Sequence, residues 1–402
     1  MNRVCMHMPS AGGGHPLYVQ EMMVALTRRG SGACAVELVT SVDLEERFLS
    51  SEYPVHRVLP RLVHKKEFRN RLSWAANRAV HYPVRERRFL AWLKSRPDIA
   101  GVHFQEFNFW MPTVVRAVHR MGKKAFFTVH YVHPHAYPPL LPRAAWDARH
   151  RLACRLCDRL FVLSGQVREE LSAFLGHPHP PIEIAPHGVW TVQNPSQLPS
   201  LDQRLRHKRL LFFGTMRRNK GLDLVLDAMP QLPEFQLTIA GAPREAGYFY
   251  NEVMPTVRRL VAGGARIDVI DRFVTDEETA SLFASHSAIL LPYTREFTAQ
   301  SGVIFLALSH EIPVVCSRVG GLSDVVDEFH IGSVFRQPTA PALVAAVRTL
   351  FSAEQSSVLA GHIRRAREHF SWDESARATL RGYALTFQEQ SSTDDCRVVT
   401  VS

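Results

Sequence analysis

Short apolar runs recur along this chain, each followed by a polar or glycine-bearing turn and then by apolar residues at helical spacing. In the first half the runs are RVCMHM, CAVELVT, IAGVHF, KAFFTV and RLFVL. Val19, Met22, Met23 and Leu26 stand at i, i+3, i+4 and i+7 and predict a helix from about Tyr18 to Arg29. The second half repeats the plan with RLLFFG, FQLTIAG, RIDVI, SAILLPY and IPVVCS, and Leu222, Val225, Leu226 and Met229 repeat the helical spacing. Apolar strands alternating with helices of this length indicate parallel βαβ units with right-handed crossovers.

At 402 residues the chain is too long for one ordinary core. Between the halves, TVQNPSQLPSLDQRLRHK is rich in Pro, Ser, Gln and charge and reads as a linker. The expected organisation is α/β, with a Rossmann-like doubly wound domain over 1–190, a linker over 191–207 and a second such domain over 208–375. A C-terminal helix and tail over 376–402 are expected to pack back on the first domain. Ligands of such sheets bind beyond the carboxyl ends of the strands, so two facing domains are expected to share a cleft.

Composition narrows the class. With 46% hydrophobic and 21% charged residues the chain reads as soluble and globular, and no apolar run approaches the roughly 18 to 20 residues that cross a bilayer. The start, MNRVCMHMPSAGGG, lacks the apolar centre and cleavage site of a secretory signal and reads as a first buried strand, which predicts a cytoplasmic protein. The six cysteines are scattered, as reduced thiols are. Cys154 and Cys157 form a CxxC without a second pair at zinc spacing, and their helix-to-strand context favours packing over a metal or redox role.

The net charge of +10 is concentrated. Between Arg61 and Arg96 stand eleven Lys or Arg against Glu67 and Glu86, a local charge of +9, interleaved with Trp74, Tyr82, Phe89 and Trp92. The segment reads as amphipathic helix broken at Pro83. Its basic side is either a solvated face or a contact with anionic lipid headgroups, peripheral on the inner face of the plasma membrane. Nothing in the chain resembles a motif that reads nucleic acid.

Four loops at the ends of predicted strands carry candidate chemistry. SAGGGHP places glycines where backbone can approach a ligand ahead of a helix. FFGTMRRNKG sets Arg217, Arg218 and Lys220 between strand and helix, a grouping that suits diphosphate oxygens. LPYTREFTAQSGV puts Glu296, Thr298, Gln300, Ser301 and Gly302 at a helix start, where free amides and the dipole favour an anion and the polar side chains suit sugar or phosphate oxygens. FFTVHYVHPHAY has His130 directly after a strand, a partner for a substrate hydroxyl. His130, His133 and His135 together are a weaker metal alternative.

Taken in order, GGGHPLYVQEMMVALTRRG, TVHYVHPH, FVLSGQVREEL, IAPHGVW, FFGTMRRNKGLDLVLDAM, LTIAG, LPYTREFTAQSGV and IPVVCSRVGGLSDVVDE resemble the retaining glycosyltransferases of family 4, which have the GT-B fold of two Rossmann-like domains facing across a cleft. The resemblance implies transfer of a sugar from a UDP- or GDP-sugar to a hydroxyl of a glycan or lipid-linked acceptor, in polysaccharide or glycolipid assembly, as a hexosyltransferase without an essential metal. It implies that Gly13 and Gly14 approach the donor diphosphate, that Arg217 and Lys220 clamp it, that His130 contacts the transferred sugar and that Phe273 borders the base. Two positions depart from the family pattern. Eight residues after Glu296 stands Ile304 where many members have a second Glu for the ribose, and Thr215 stands where an arginine often follows the glycine. These departures keep open a nucleotide-sugar-binding protein without transferase activity. A soluble acceptor and an epimerase on the same fold are further alternatives.

Overall fold

The architecture is taken from a computed structural model of the 402-residue chain. It describes all residues except 13, 31, 33, 63–69, 134–140, 191–198, 296, 298–300 and 399–402, with the backbone alone described at 71, 72, 75, 320, 353–357 and 390–398.

Two parallel sheets carry the fold. The first contains β1 (Asn2–Met8), β2 (Cys34–Ser41), β3 (Val55–Leu59), β4 (Gly101–Phe104), β5 (Lys124–Val129), β6 (Arg159–Val162) and β7 (Ile182–Ile184), in the order β3-β2-β1-β4-β5-β6-β7. The second contains β8 (Arg209–Phe213), β9 (Gln236–Ala240), β10 (Arg266–Ile270), β11 (Ala288–Leu291), β12 (Val314–Ser317) and β13 (Gly332–Phe335), in the order β10-β9-β8-β11-β12-β13. In each sheet the chain leaves the first strand in one direction and returns on its other side. The order therefore reverses between β1 and β4 and between β8 and β11, where doubly wound sheets open a crevice at the strands' carboxyl ends. The central strands are buried on both faces, as their unbroken apolar runs require.

The hydrophobic pattern does not register β3 (VHRVL) and β13 (GSVF). Both are edge strands, so half their positions meet solvent and the sequence need not be apolar. The first helix, Gly14–Gly30, begins earlier than the apolar spacing indicates because Gly14, His15 and Pro16 form its first turn, where proline lacks no needed donor. A larger correction concerns Pro83. The basic segment is one helix, Arg71–Lys94, with Pro83 inside it. The carbonyl that Pro83 leaves unpaired belongs to Ala79, an exposed residue, and the helix is held beyond that point by fully buried Phe89 and Leu93.

Contacts divide the chain into Met1–Gly188 with Ser371–Ser402, and Val189–Phe370. The helix Trp372–Val398 is thus part of the first unit. There the Tyr383 hydroxyl lies 2.6 Å from His103 Nδ1, and Arg159 donates to Thr386 Oγ1 at 2.8 Å. Gly188 is required for this docking, since a Cβ there would fall 2.2 Å from the Trp372 indole. Within the stretch expected as a linker, Leu201–Arg206 form a helix whose N-terminus is closed by a reciprocal Ser200–Gln203 capping box. Its buried Arg204 donates to the carbonyls of His310 (2.9 Å) and Glu311 (2.7 Å), which fastens it to the second unit.

Candidate functional site

In the second unit the loops after β8 and β11 flank the reversal of strand order and lie directly against each other. Gly221 has a φ of 70°, and a Cβ there would stand 1.9 Å from the Pro292 carbonyl oxygen, so glycine alone permits the approach. The Thr294 N–H donates to the Asn219 carbonyl at 3.0 Å across the same seam.

This seam places the Lys220 ammonium 3.6 Å from the Tyr293 ring centroid and 4.0 Å from that of Phe297. Cation–π attraction offsets part of the cost of leaving water. Burial, and then the neighbouring charge of Arg217, pull the Lys220 pKa down to about 7. Among the described residues neither Lys220 nor Arg217 has a carboxylate partner. Arg218, between them in sequence, is engaged: its guanidinium lies 2.5 Å from Glu252 and 4.5 Å from the Tyr248 ring centroid. Arg217 is therefore the free arginine of the pair. Among the described residues the buried oxygens Asn219 Oδ1 and Thr294 Oγ1, on the same two loops, also have no hydrogen-bond partner.

The helix Gly302–Ser309 starts where the second loop ends, and its first amides have no intrahelical acceptor. Gly302 is exposed, with open space around its Cα, whereas Ser301 is buried and its hydroxyl lies 2.9 Å from that of Tyr293. The Ser301 side chain thus braces the loop, leaving Gly302 to face outward. Glu296, Thr298 and Gln300 lie outside the described residues. Ile304 is fully buried in the core, so this helix presents no carboxylate at the position of the family's second Glu. Phe273 follows β10, two strands from β8, and is 65% exposed. Its carbonyl accepts from Arg272 Nη1 at 3.2 Å, and Arg272 pairs with Glu278 of the adjacent helix cap.

In the first unit His130 follows β5 at the carboxyl edge of the sheet. Its ring packs against His15 (4.6 Å between centroids) and edge-on against Tyr18 (4.8 Å), and its buried Nε2 has no partner among the described residues. Burial, reinforced by the neighbouring histidines, holds its pKa well below the ordinary histidine value, so it is neutral near pH 7. His133 instead turns to Asp147 at 4.0 Å, and His135 lies outside the described residues. Gly14 is exposed at the helix start with nothing near its Cα, and Gly13 lies outside the described residues. The CxxC thiols are both buried, and burial raises both pKa values.

Sequence reasoning missed Glu106. It stands two residues beyond the end of β4 at the order reversal, accepts from Ser10 at 2.8 Å, stands 3.6 Å from His15, and lines the same cavity as His130. Its signal was positional: the first acidic residue after the fourth strand.

A family model described as Glycosyltransferase Family 4 matches residues 12–192, and one described as Glycosyl transferases group 1 matches 207–353. The chain belongs to the family 4 glycosyltransferases. A glycogen synthase of Thermus thermophilus is 31% identical over 188 residues, which is 44% of this chain and 39% of that protein. The match thus spans well under half the length of that family relative. Sucrose-phosphate synthase from Thermosynechococcus elongatus superposes with a TM-score of 0.71 at 17% identity, covering 97% of this chain and all of the other. Anabaena HepE in complex with UDP superposes with a TM-score of 0.69 at 14% identity, covering 96% and 100%. These likenesses show the GT-B fold that the family has.

Proposed function

We propose that this chain is a retaining hexosyltransferase that moves a sugar from a UDP- or GDP-sugar to a hydroxyl of a glycan or lipid-linked acceptor. The observation that carries the reading is Lys220, desolvated between Tyr293 and Phe297 beside Arg217, with no carboxylate among the described residues to neutralise either. A site that keeps two cations together without an anion is built to receive one. A departing nucleoside diphosphate supplies it, and Arg217, Lys220 and the amides at Gly302 stabilise the charge that develops as the glycosidic bond to phosphate breaks. This preorganised charge needs no metal of its own, so chelator treatment is expected to leave the rate unchanged. Neutral His130 keeps its Nε2 available for a hydroxyl of the transferred sugar. Glu296 is assigned to the sugar hydroxyls, Thr298, Gln300 and the Gly13–Gly14 loop to the donor, and Phe273 to the base. HepE with bound UDP supports the donor class.

No helix among the described residues is long and apolar enough to cross a membrane. We assign the protein to the cytoplasmic side, docked peripherally through helix Arg71–Lys94. Val80 (64% exposed) and Val84 (40%) line an outward face with exposed Arg87 and Arg88, which have no ion-pair partner among the described residues. Arg85, which the sequence places in this basic face, is buried and does not contribute to it.

Ile304 favours one rival, a nucleotide-sugar binder without transfer. Incubating the protein with UDP-glucose, UDP-galactose or GDP-mannose and a membrane extract separates the two. Acceptor-dependent release of nucleoside diphosphate, lost in Lys220→Ala, supports the transferase; donor binding with no acceptor-dependent release in any combination supports the binder.

A further inference from the structure

A second polar pocket lies in the first unit, between the loop after β1 and helix Arg71–Lys94. It encloses about 150 Å³ and is lined by Ser10, Asp43, Arg78, Tyr82, Arg85 and Glu106 among others. Arg85 is 1% exposed, so its side chain is built into the unit and is not a surface charge. Its Nη2 donates to the Pro9 carbonyl at 2.6 Å, while among the described residues Nε and Nη1 have no partner. Arg78 donates to the Tyr82 hydroxyl at 2.8 Å and leaves its own Nε unpartnered. A guanidinium carries five N–H donors, and burying one with most of them idle is costly unless a ligand completes the set.

Glu86, Asp43 and Glu106 favour the Arg85 charge through space, but among the described residues none of them hydrogen-bonds it. Asp43 accepts from the Ser41 hydroxyl and faces Arg61 at 3.6 Å. Glu106 accepts from Ser10 and faces His15. Glu86, the sequence neighbour of Arg85, accepts from Asn108 at 2.8 Å. Among the described residues Arg85 makes no ion pair.

We propose that this pocket recognises an acidic group, a phosphate or a carboxylate, on the acceptor sugar. Arg85 and Arg78 bind the anion, and Asp43 and Glu106 accept hydroxyl protons from the ring that carries it. The inference rests on the transferase reading and deepens it by giving the acceptor a charge. Glu106 also lines the cavity of His130, so a sugar anchored at Arg85 extends toward the residue assigned to the transferred sugar. The glycine loop beside the pocket admits a second source of the same chemistry, the diphosphate of the donor.

Calorimetry on the full chain distinguishes the two sources. Glucose 6-phosphate, glucuronate and glucose are titrated with UDP at saturation, so that Arg217 and Lys220 are occupied. The wild type is expected to bind at least one acidic sugar tenfold or more tightly than glucose. Arg85→Gln should abolish that preference and leave UDP affinity within twofold, and Arg85→Lys should restore part of the preference. Equal affinity for acidic and neutral sugars in the wild type overturns the inference while leaving the transferase reading intact. Loss of UDP affinity in folded Arg85→Gln also overturns it, by giving the anion to the donor. Failure of the wild type to bind UDP at all sinks the transferase reading instead. Should Arg85→Gln not fold, as read by circular dichroism, Arg78→Gln carries the same expectations.

Discussion

The helix Arg71–Lys94 and the loop after β8 both gather positive charge, and the fold distributes their cations differently. In and beside the helix most of the charge is dispersed: Arg87 and Arg88 face solvent and Arg96 pairs with Asp98 (2.8 Å) and Glu37 (3.0 Å), so that only buried Arg85, on the Pro9 carbonyl, resembles the loop cations. In the loop only two side chains matter, but Arg217 and Lys220 stand close together without a carboxylate among the described residues. A local charge of +9 over many residues is therefore weaker evidence of a site than two cations that the fold leaves unbalanced. Density of charge describes a surface, and uncompensated charge out of water describes a ligand.

That contrast breaks if the loop cations do not bind the donor. Arg217→Ala/Lys220→Ala is expected to lose about 3 to 6 kcal/mol of UDP or GDP affinity, taking about 1.5 to 3 kcal/mol for each charge-assisted bond. Arg218→Ala, already paired with Glu252, should change affinity by less than about tenfold, a shift of about 1.4 kcal/mol. Titration calorimetry reads both, and an unchanged double variant contradicts the assignment.

Two histidines sharpen the same distinction between satisfied and unsatisfied groups. His103 is fully buried between the Tyr383 hydroxyl (2.6 Å) and Thr128 Oγ1 (2.7 Å), and burial lowers its pKa to about 3. His130 has a buried nitrogen with no partner among the described residues. His130→Ala should slow transfer by about a hundredfold, as loss of one preorganised donor does, with UDP affinity retained. His103→Ala should instead destabilise the fold by roughly 1 to 3 kcal/mol through the unpaired Tyr383 and Thr128, measured by urea unfolding. A His130→Ala enzyme at full rate returns that histidine to packing.

Gly221→Ala probes the scaffold under Lys220. A positive φ and a Cβ 1.9 Å from the Pro292 carbonyl predict a loss of at least about 1 to 3 kcal/mol in stability together with weaker UDP binding. A wild-type melting temperature and wild-type UDP affinity in this variant would show that the two loops need not touch. The smallest effect belongs to the helix. Arg87→Glu/Arg88→Glu should lose flotation with anionic vesicles at low salt, each arginine contributing on the order of 1 kcal/mol, and should bind UDP as the wild type does. If the wild type stays behind with anionic vesicles, the helix face is solvated and a soluble acceptor follows.

The central strands of both sheets were legible because burial on two faces demands continuous apolar runs, as in KAFFTV and SAILLPY. The edge strands β3 and β13 were not, since solvent on one side relaxes that demand. Pro83 misled because local chemistry favours a break, whereas Phe89 and Leu93 hold the helix through tertiary packing. The cations of the phosphate loop could be found from their place between strand and helix. Which of them is free could not, because Glu252 and Tyr248, which occupy Arg218, lie some thirty residues away in sequence. Glu106 and the donors of Arg85 were invisible for the same reason: pairing is a property of the folded neighbourhood.

The most direct test of the Lys220 site is the proton balance of nucleotide binding. With a pKa of about 7 in the free protein, Lys220 is largely neutral at pH 8. A diphosphate beside it favours the ammonium and raises that pKa, so binding takes up a proton and affinity falls as pH rises above 7. Calorimetric titration of UDP into the full chain at pH 8, in buffers of different ionisation enthalpy, should report uptake of close to one proton by the wild type and none by Lys220→Met. Tight UDP binding with no proton uptake in the wild type would contradict the assignment of Lys220 to the diphosphate.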